Sequence, residues 1–379
     1  MNIMPIPFNK PTRVGAELEY IQQAIQSSHL SGDGSFTKKS HALLEEALGV
    51  PKVLLTTSGT HALEMSALLL DLKAGDEVIV PSFTFVSTIN AFALRGAKPV
   101  FADVRADTLN LDESKLEALI TPRTRAVVVV HYAGVGCEMG TIMEIADRHS
   151  IPVVEDNAHG LFGKYKGKNL GTFGVMATQS FHDTKNFTSG EGGALLINDE
   201  KYIEDAEIMR EKGTNRSRFF RGQVDKYTWV NLGSSYLPSE ILAAHLFAQL
   251  EKREEIQAAR KRIWETYYKE FADWAEENHV QMPFVPAHCE QTYHMFYMLF
   301  PSLEARTRAI AHLKERGIQA VFHYLPLHLS PMGAKYGGKE GDCPVTERIT
   351  DQLLRLPFYT NMTEEEQKTV IHALKEFIV

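Results

Sequence analysis

An α/β fold built on a mostly parallel seven-stranded sheet, with a smaller α+β C-terminal domain, is predicted for this chain by three observations. From about residue 50 to 200, short β-rich runs alternate with helical patterns, the alternation that produces parallel sheets. The run Ala126-Val127-Val128-Val129-Val130 is apolar without alternation, as in a central strand covered by helices on both faces. Finally, 379 residues exceed the roughly 250–300 at which one hydrophobic core stops growing, so two domains are expected.

In chain order the expected strands are 52–56, 77–80, 99–103, 126–131, 152–155, 176–181 and 194–197. Helices are expected between them at 61–72, 87–95 and 140–149. A long helix is predicted from 237 through 259 and on to 274, and the domain boundary falls within it, near 245–260. This divides the chain into a large domain, 1–250, with an N-terminal arm, and a small one, 251–379. In the small domain, strand-like 293–300 and 317–324 flank a helix at 304–316. Thr363-Glu364-Glu365-Glu366 carries the capping-box pattern that starts a final helix.

Composition narrows the function. Hydrophobic residues make up 44% of the chain, so core material is not limiting. The balance of 40 Lys+Arg against 48 Asp+Glu gives a net charge of -8, and no long basic block occurs, which argues against nucleic acid as the main partner. Cys137, Cys289 and Cys343 are widely spaced and odd in number, so neither a disulfide framework nor a metal site is expected. They read as free thiols in a reducing compartment. No basic segment leads into an apolar one at the start, and no run of about 18 apolar residues occurs. No membrane association and a cytoplasmic location are expected.

The residues that carry chemistry cluster at predicted strand ends. Asp156 follows the apolar Ile151-Pro152-Val153-Val154, which places its carboxylate at the C-terminal edge of the sheet, where open α/β proteins bind ligands. Lys185, in Ser180-Phe181-His182-Asp183-Thr184-Lys185-Asn186, follows the next strand and precedes the turn Glu191-Gly192-Gly193. A lysine that forms a Schiff base and an aspartate that holds a pyridinium nitrogen are the two groups a pyridoxal 5'-phosphate (PLP) enzyme supplies from its own chain. Either residue alone also fits an ordinary surface charge or helix cap.

Ser58-Gly59-Thr60 joins a strand to a helix. It fits either a helix cap or a phosphate site made by free backbone N–H groups and the helix dipole, with Gly59 permitting close approach. Ser180 can add a hydroxyl. Of Phe83 and Phe85, which follow another strand, one can stack on a heteroaromatic ring, or both can belong to the core. His159 is suited either to hydrogen-bonding the cofactor or Asp156 or to a purely structural place with its hydrogen bonds satisfied. The basic run of Arg216, Arg218 and Arg221 suits either a substrate pyrophosphate or solvated loop charge. His323, Tyr324 and His328, around a Pro turn, suit a sugar pocket, with a metal site or incidental placement as alternatives. No GxGxxG opens the first strand-helix unit, which disfavours a dinucleotide enzyme.

Together IPFNKP, SGDGSF, TTSGTHALEM, GDEVIVPSFTFVST, GAKPVFADV, VVVVHYAG, VVEDNAHG, SFHDTKNFTSGEGGALL and HYLPLH resemble the DegT/DnrJ/EryC1/StrS family of sugar aminotransferases. The resemblance spans almost the whole chain and implies the PLP-dependent transferase fold type I (aspartate aminotransferase-like). It implies PLP as cofactor, a nucleotide-sugar substrate and glutamate as partners, and a homodimer with shared active sites. By that resemblance Lys185 is the Schiff-base lysine, Asp156 pairs with the pyridinium nitrogen, Phe85 stacks on the ring, and Gly59, Thr60 and Ser180 hold the phosphate. The family's phosphate contact from the second subunit is commonly an asparagine in a GYN-type segment. Here that segment is Gly233-Ser234-Ser235, which makes Ser235 the candidate. At His159 the family more often has glutamine. REKGTNRSRFFRGQVDKYTW and LGSSYL are similar to the branch that acts at C4 of a dTDP-linked ketosugar. A branch with histidine at the lysine position performs dehydration, and Lys185 argues against it.

Overall fold

A computed structural model describes residues 5–379. Helices α1 (Glu17–Gln26) and α2 (Ser35–Leu48) precede the alternating part of the chain. That part runs β1 (Lys52–Thr56), α3 (Gly59–Leu69), β2 (Glu77–Pro81), α4 (Val86–Ala93), β3 (Lys98–Ala102), β4 (Thr124–Val130), α5 (Met139–Arg148), β5 (Val153–Asp156), β6 (Met176–Ser180) and β7 (Gly193–Ile197). These seven strands form one sheet in the order β1-β7-β6-β5-β4-β2-β3. All run parallel except β7, which is antiparallel to both neighbours. The mostly parallel seven-stranded sheet expected from the sequence is therefore present.

The valine run at the sheet centre is buried on both faces, as its lack of alternation requires. Ala126 and Val128 pack with Leu63, Ala67 and Phe92 from α3 and α4. Val127 and Val129 pack with Met139, Ile142 and Ile145 from α5. Helices α6 (Ile203–Arg210), α7 (Arg216–Phe220) and α8 (Glu240–Glu251) follow the sheet.

The long helix expected over 237–274 is two helices, α8 and α9 (Arg253–Glu277), separated at Lys252 with φ -96° and ψ 18°. The break has a packing cause. Ala243, Leu246 and Leu250 of α8 sit in a core with Leu44 and Leu48 of α2. Ile263, Tyr267 and Phe271 of α9 belong to a second core, with Phe296, Leu313, Leu356 and Leu374. One straight helix cannot serve both. The second core is completed by β8 (Tyr297–Leu299), α10 (Leu303–Glu315), β9 (Leu353–Arg355) and α13 (Glu364–Lys375), while α11 (Pro331–Lys335) and α12 (Pro344–Gln352) stand outside it. β8 and β9 form a two-stranded antiparallel pair.

The strand expected over 317–324 is not formed; the segment makes single bridges, Ile318 to Ile6 and Val321 to Arg355. Left-handed backbone at Gly317 (φ 74°) and Tyr324 (φ 35°) bends both of its ends. The capping box at Thr363 is present, with the Glu366 N–H donating to Thr363 Oγ1 at 3.1 Å and the Thr363 N–H donating to Glu366 Oε2 at 2.8 Å. Among the described residues no helix is long and apolar enough to cross a membrane.

Candidate active site

The C-terminal edge of a parallel sheet collects the groups that follow each strand, and here it opens into a cavity of about 490 Å³. Its lining includes Gly59 and Thr60 after β1, Phe85 and Thr88 after β2, Asp156 and His159 after β5, and Ser180 and Lys185 after β6. His323, Tyr324 and Arg355 close it from the second core's side.

Asp156 ends β5 in register between Val130 of β4 and Thr178 of β6. Its carboxylate accepts from Thr88 Oγ1 at 2.7 Å and from the Ala158 N–H at 3.2 Å. The preceding carboxylate, Glu155, points away and is fully engaged. It accepts from the N–H groups of Gly171, Phe173 and Gly174 at 2.7–2.8 Å and faces His131 Nε2 at 2.8 Å. This clamp fixes the strand end that presents Asp156.

Lys185 sits in the turn after β6, where its N–H donates to the His182 carbonyl at 2.9 Å. Burial pushes its ammonium down to about 8, with the Asp156 carboxylate pulling the other way and the Arg355 cation adding to the drop. A lysine so placed carries a substantial fraction of free amine near neutral pH, as a nucleophile and proton carrier requires.

The phosphate-like cradle is built by close approach. Ser58 caps α3, its Oγ accepting from the His61 N–H at 3.1 Å. A Cβ on Gly59 would lie 3.0 Å from Ser180 Cβ and 3.1 Å from the Gln179 carbonyl oxygen, so glycine lets the helix start reach the end of β6. Thr60 Oγ1 lies 2.8 Å from Ser87 Oγ, which brings the N-termini of α3 and α4 together beside Ser180. Two adjoining helix starts suit an anion.

Phe85 and Phe83 divide the two roles open to them: Phe83 is buried at 1% exposure and Phe85 is open at 56% along the cavity wall. His159 stacks on His294 with centroids 4.1 Å apart, and its Nδ1 is buried without a partner. Burial, then the charges of Lys185 and Arg355, holds its pKa well below the usual histidine value. His323 Nδ1 meets Tyr132 Oη at 2.8 Å.

Other candidates lie elsewhere. His328 is fully buried outside the cavity, between Ser82 Oγ at 2.6 Å and Glu347 Oε1 at 2.9 Å. It joins β2's following loop to α12, so a sugar-pocket role for it is corrected to a structural one. Arg216, Arg218 and Arg221 lie on the surface helix α7 or just after it, paired with Glu211, Glu204 and Glu207. Ser235 is exposed and bridges Glu211. None of these four lines the cavity of its own chain. Sequence reasoning missed Thr88, His294 and Arg355. Of these only Arg355 left a signal, a lone cation in the apolar Leu353-Leu354-Arg355-Leu356-Pro357.

A half-buried amine, a fixed carboxylate, a two-helix anion cradle and an open aromatic ring thus share one cavity, of a size within the roughly 300–1,000 Å³ typical of small-molecule sites. These groups fit PLP, with the cradle for its phosphate and Asp156 for its ring nitrogen. The fold and site together define an aminotransferase of the PLP-dependent fold type I. The DegT/DnrJ/EryC1/StrS aminotransferase family profile matches residues 11–375, and the chain belongs to that family. It is 34% identical over 376 residues, 97% of each chain, to GDP-perosamine synthase from Caulobacter vibrioides. Among solved structures it is similar to the PLP-form of Spr1654 from Streptococcus pneumoniae, at TM-score 0.90 and 27% identity over 98% of each chain. It is likewise similar to PseC from Helicobacter pylori, an aminotransferase involved in the biosynthesis of pseudoaminic acid, at TM-score 0.91 and 25% identity over 99% of each chain. Its cofactor is PLP.

Proposed function

We propose that this chain moves the amino group of glutamate to C4 of dTDP-4-dehydro-6-deoxy-D-glucose, giving dTDP-4-amino-4,6-dideoxy-D-galactose and 2-oxoglutarate. The product is of the kind used in enterobacterial common antigen and lipopolysaccharide biosynthesis. The observation that carries amino transfer is the half-buried Lys185 amine, its ammonium pushed down to about 8 and sharing one cavity with Asp156. The choice of nucleotide, ring position and galacto outcome is supported by the resemblance of REKGTNRSRFFRGQVDKYTW and LGSSYL to the C4-acting branch.

When bound, PLP supplies the aldehyde that takes up the amino group and the ring that delocalises the carbanion charge. Asp156, held by Thr88 and the Ala158 N–H, keeps the ring nitrogen protonated. Lys185 Nζ takes the proton from the donor α-carbon and, in the second half-reaction, delivers one to C4 of the ketosugar. Delivery from one fixed face sets the configuration at C4. Gly59, Thr60 and Ser180 would hold the phosphate, and Phe85 would lie against the ring.

The active unit in this reading is a homodimer with shared sites. Trp229, Phe220, Leu232 and Tyr227 are at least 50% exposed on the stretch that carries Arg216, Arg218, Arg221 and Ser235, and such a patch is expected of a contact with a second copy. Ser235 and the arginines would then meet phosphate and pyrophosphate in the neighbouring subunit.

Glutamate, PLP and the protein incubated with a panel of dTDP- and UDP-linked 3- and 4-ketosugars test the reading. NMR should identify dTDP-4-amino-4,6-dideoxygalactose as the preferred product. Preference for a UDP-sugar, a C3 amine or a gluco product would replace the assigned substrate, and no amino sugar from any of them would remove it.

A further inference from the structure

Asn186 follows Lys185 directly and is buried. Its Nδ2 donates to the Thr292 carbonyl at 2.7 Å and to Gln257 Oε1 on α9 at 3.2 Å. With both amide hydrogens committed, Oδ1 is left to accept, and it meets His294 Nδ1 at 2.8 Å. Burial, and after it the neighbouring His159, Lys185, Arg260 and Arg355, hold the His294 pKa well below the usual histidine value. A neutral imidazole carries one hydrogen, and the bond to Asn186 puts it on Nδ1. One side chain thus ties the lysine's turn after β6 to α9 and to the segment before β8.

That segment is itself held under strain. Tyr293 has φ 52°, a left-handed conformation that bulky residues rarely adopt. Arg260 of α9, 3% exposed, clamps it from behind, with Nε donating to the Tyr293 carbonyl at 3.0 Å and Nη2 to the His294 carbonyl at 2.6 Å. Its third bond, from Nη1, goes to Thr360 Oγ1 at 3.3 Å. A buried guanidinium given to carbonyls and a hydroxyl is costly to keep, and burial pushes its pKa down to about 9. Strain and a buried cation in one short segment mark a place whose position matters to function. Its His294 ring stacks on His159, and both rings line the cavity with Lys185.

We propose that Asn186 is a positioning residue for proton transfer, carrying the fixed placement of Thr292 and His294 across to Lys185 and so setting where that amine stands. The proposal rests on the reading in which Lys185 moves the donor's α-proton. A lysine's flexible four-carbon stem does not by itself place its amine, so the backbone beneath it must be held. Misplacement of a reacting group by about 1 Å costs on the order of a hundredfold in rate. The structure supplies the hold from outside the sheet, through three hydrogen bonds made by the next residue in the chain.

Stopped-flow absorbance tests this in wild type, Asn186→Ala, His294→Phe, His294→Asn and His294→Gln, each well below its thermal midpoint. PLP-loaded protein is mixed with glutamate or α-deuterated glutamate, and apo-protein with PLP. Asn186→Ala should lower the maximal rate with glutamate by about 30- to 100-fold and leave the half-saturating concentration within about threefold. The slowed step should carry the α-deuterium effect. PLP capture should slow by on the order of tenfold at an unchanged pH midpoint, since no charge is removed. His294→Phe keeps a ring against His159 but loses the donor to Asn186, and should show the same pattern at about tenfold. His294→Asn puts an amide N–H where Nδ1 stood and should recover most of that loss. An unchanged maximal rate, a loss confined to glutamate binding, or a slowed step without an isotope effect overturns the proposal. So does recovery by His294→Gln alone, whose amide reaches the Nε2 place, because the ring would then act on the cavity directly. If Asn186→Ala does not fold, the three His294 variants decide. If wild type captures PLP but is silent to glutamate, the donor assignment fails, and the capture rates still test Asn186.

Discussion

Lys185 is tuned by two opposite charges that the structure places on different cores, Asp156 at the sheet edge and Arg355 on β9. Its amine is a nucleophile only when deprotonated, so the rate at which apo-enzyme captures PLP should rise with pH to a midpoint near about 8. Removing the Arg355 cation in Arg355→Met stabilises the ammonium and should move that midpoint up. Removing the Asp156 anion in Asp156→Asn destabilises the ammonium and should move it down. Stopped-flow absorbance across pH 6–10 decides, and equal midpoints in all three proteins would show that neither charge reaches the amine. Asp156→Asn should also lower turnover by at least about a hundredfold, in line with loss of a key electrostatic contact, and near-normal turnover with PLP bound would end its assigned role. Asp156, Lys185 and Gly59 were legible in the sequence because each follows a buried strand within a few residues. Arg355 showed only as a lone cation in an apolar run, because Lys185 and Tyr132, on which its charge bears, are brought near by the closed fold alone.

At the scale of elements, the seven strands of the large sheet and the three helices expected between them stand within three residues of where apolar runs and Gly/Pro punctuation placed them. Those signals are local, and burial on both faces removes ambiguity. What could not be read was where one helix should turn into another, since the break at Lys252 answers to two cores distant in sequence. The same holds for 317–324, where the left-handed residue at Tyr324 overrides a β-like pattern. One interaction between elements carries a clear energetic cost. Glu240, on α8, caps α2 by accepting from the N–H groups of Gly34, Phe36 and Thr37 at 2.8–3.1 Å and from the Thr37 hydroxyl. Glu240→Ala leaves these buried donors unpaired and should destabilise the protein by about 2–4 kcal/mol. A lowered urea midpoint with an unchanged slope is the expected signature, and an unchanged midpoint would show the cap to be dispensable.

For the whole molecule, the test is whether one chain suffices. If Ser235 serves the site of the neighbouring subunit, Lys185→Ala and Ser235→Trp damage different parts of each site and should complement. Random exchange makes half the dimers mixed, each with one intact site of two, so activity should return toward about a quarter of wild type. Heterodimers shown to form but lacking activity would confine Ser235 to its own subunit or exclude it from the site. The lone antiparallel strand β7 has a consequence for how the protein is made. Within the sheet β1 is joined to β6 only by hydrogen bonds through it, and a Cβ on its first residue, Gly193, would lie 2.3 Å from the Ser58 carbonyl carbon. The helix start proposed to receive phosphate is therefore wedged in place by a strand synthesised well over a hundred residues later. On the ribosome β1 has no place in the sheet until that strand threads between it and β6, so a nascent chain has no complete cofactor site to fill until most of the large domain has left the exit tunnel.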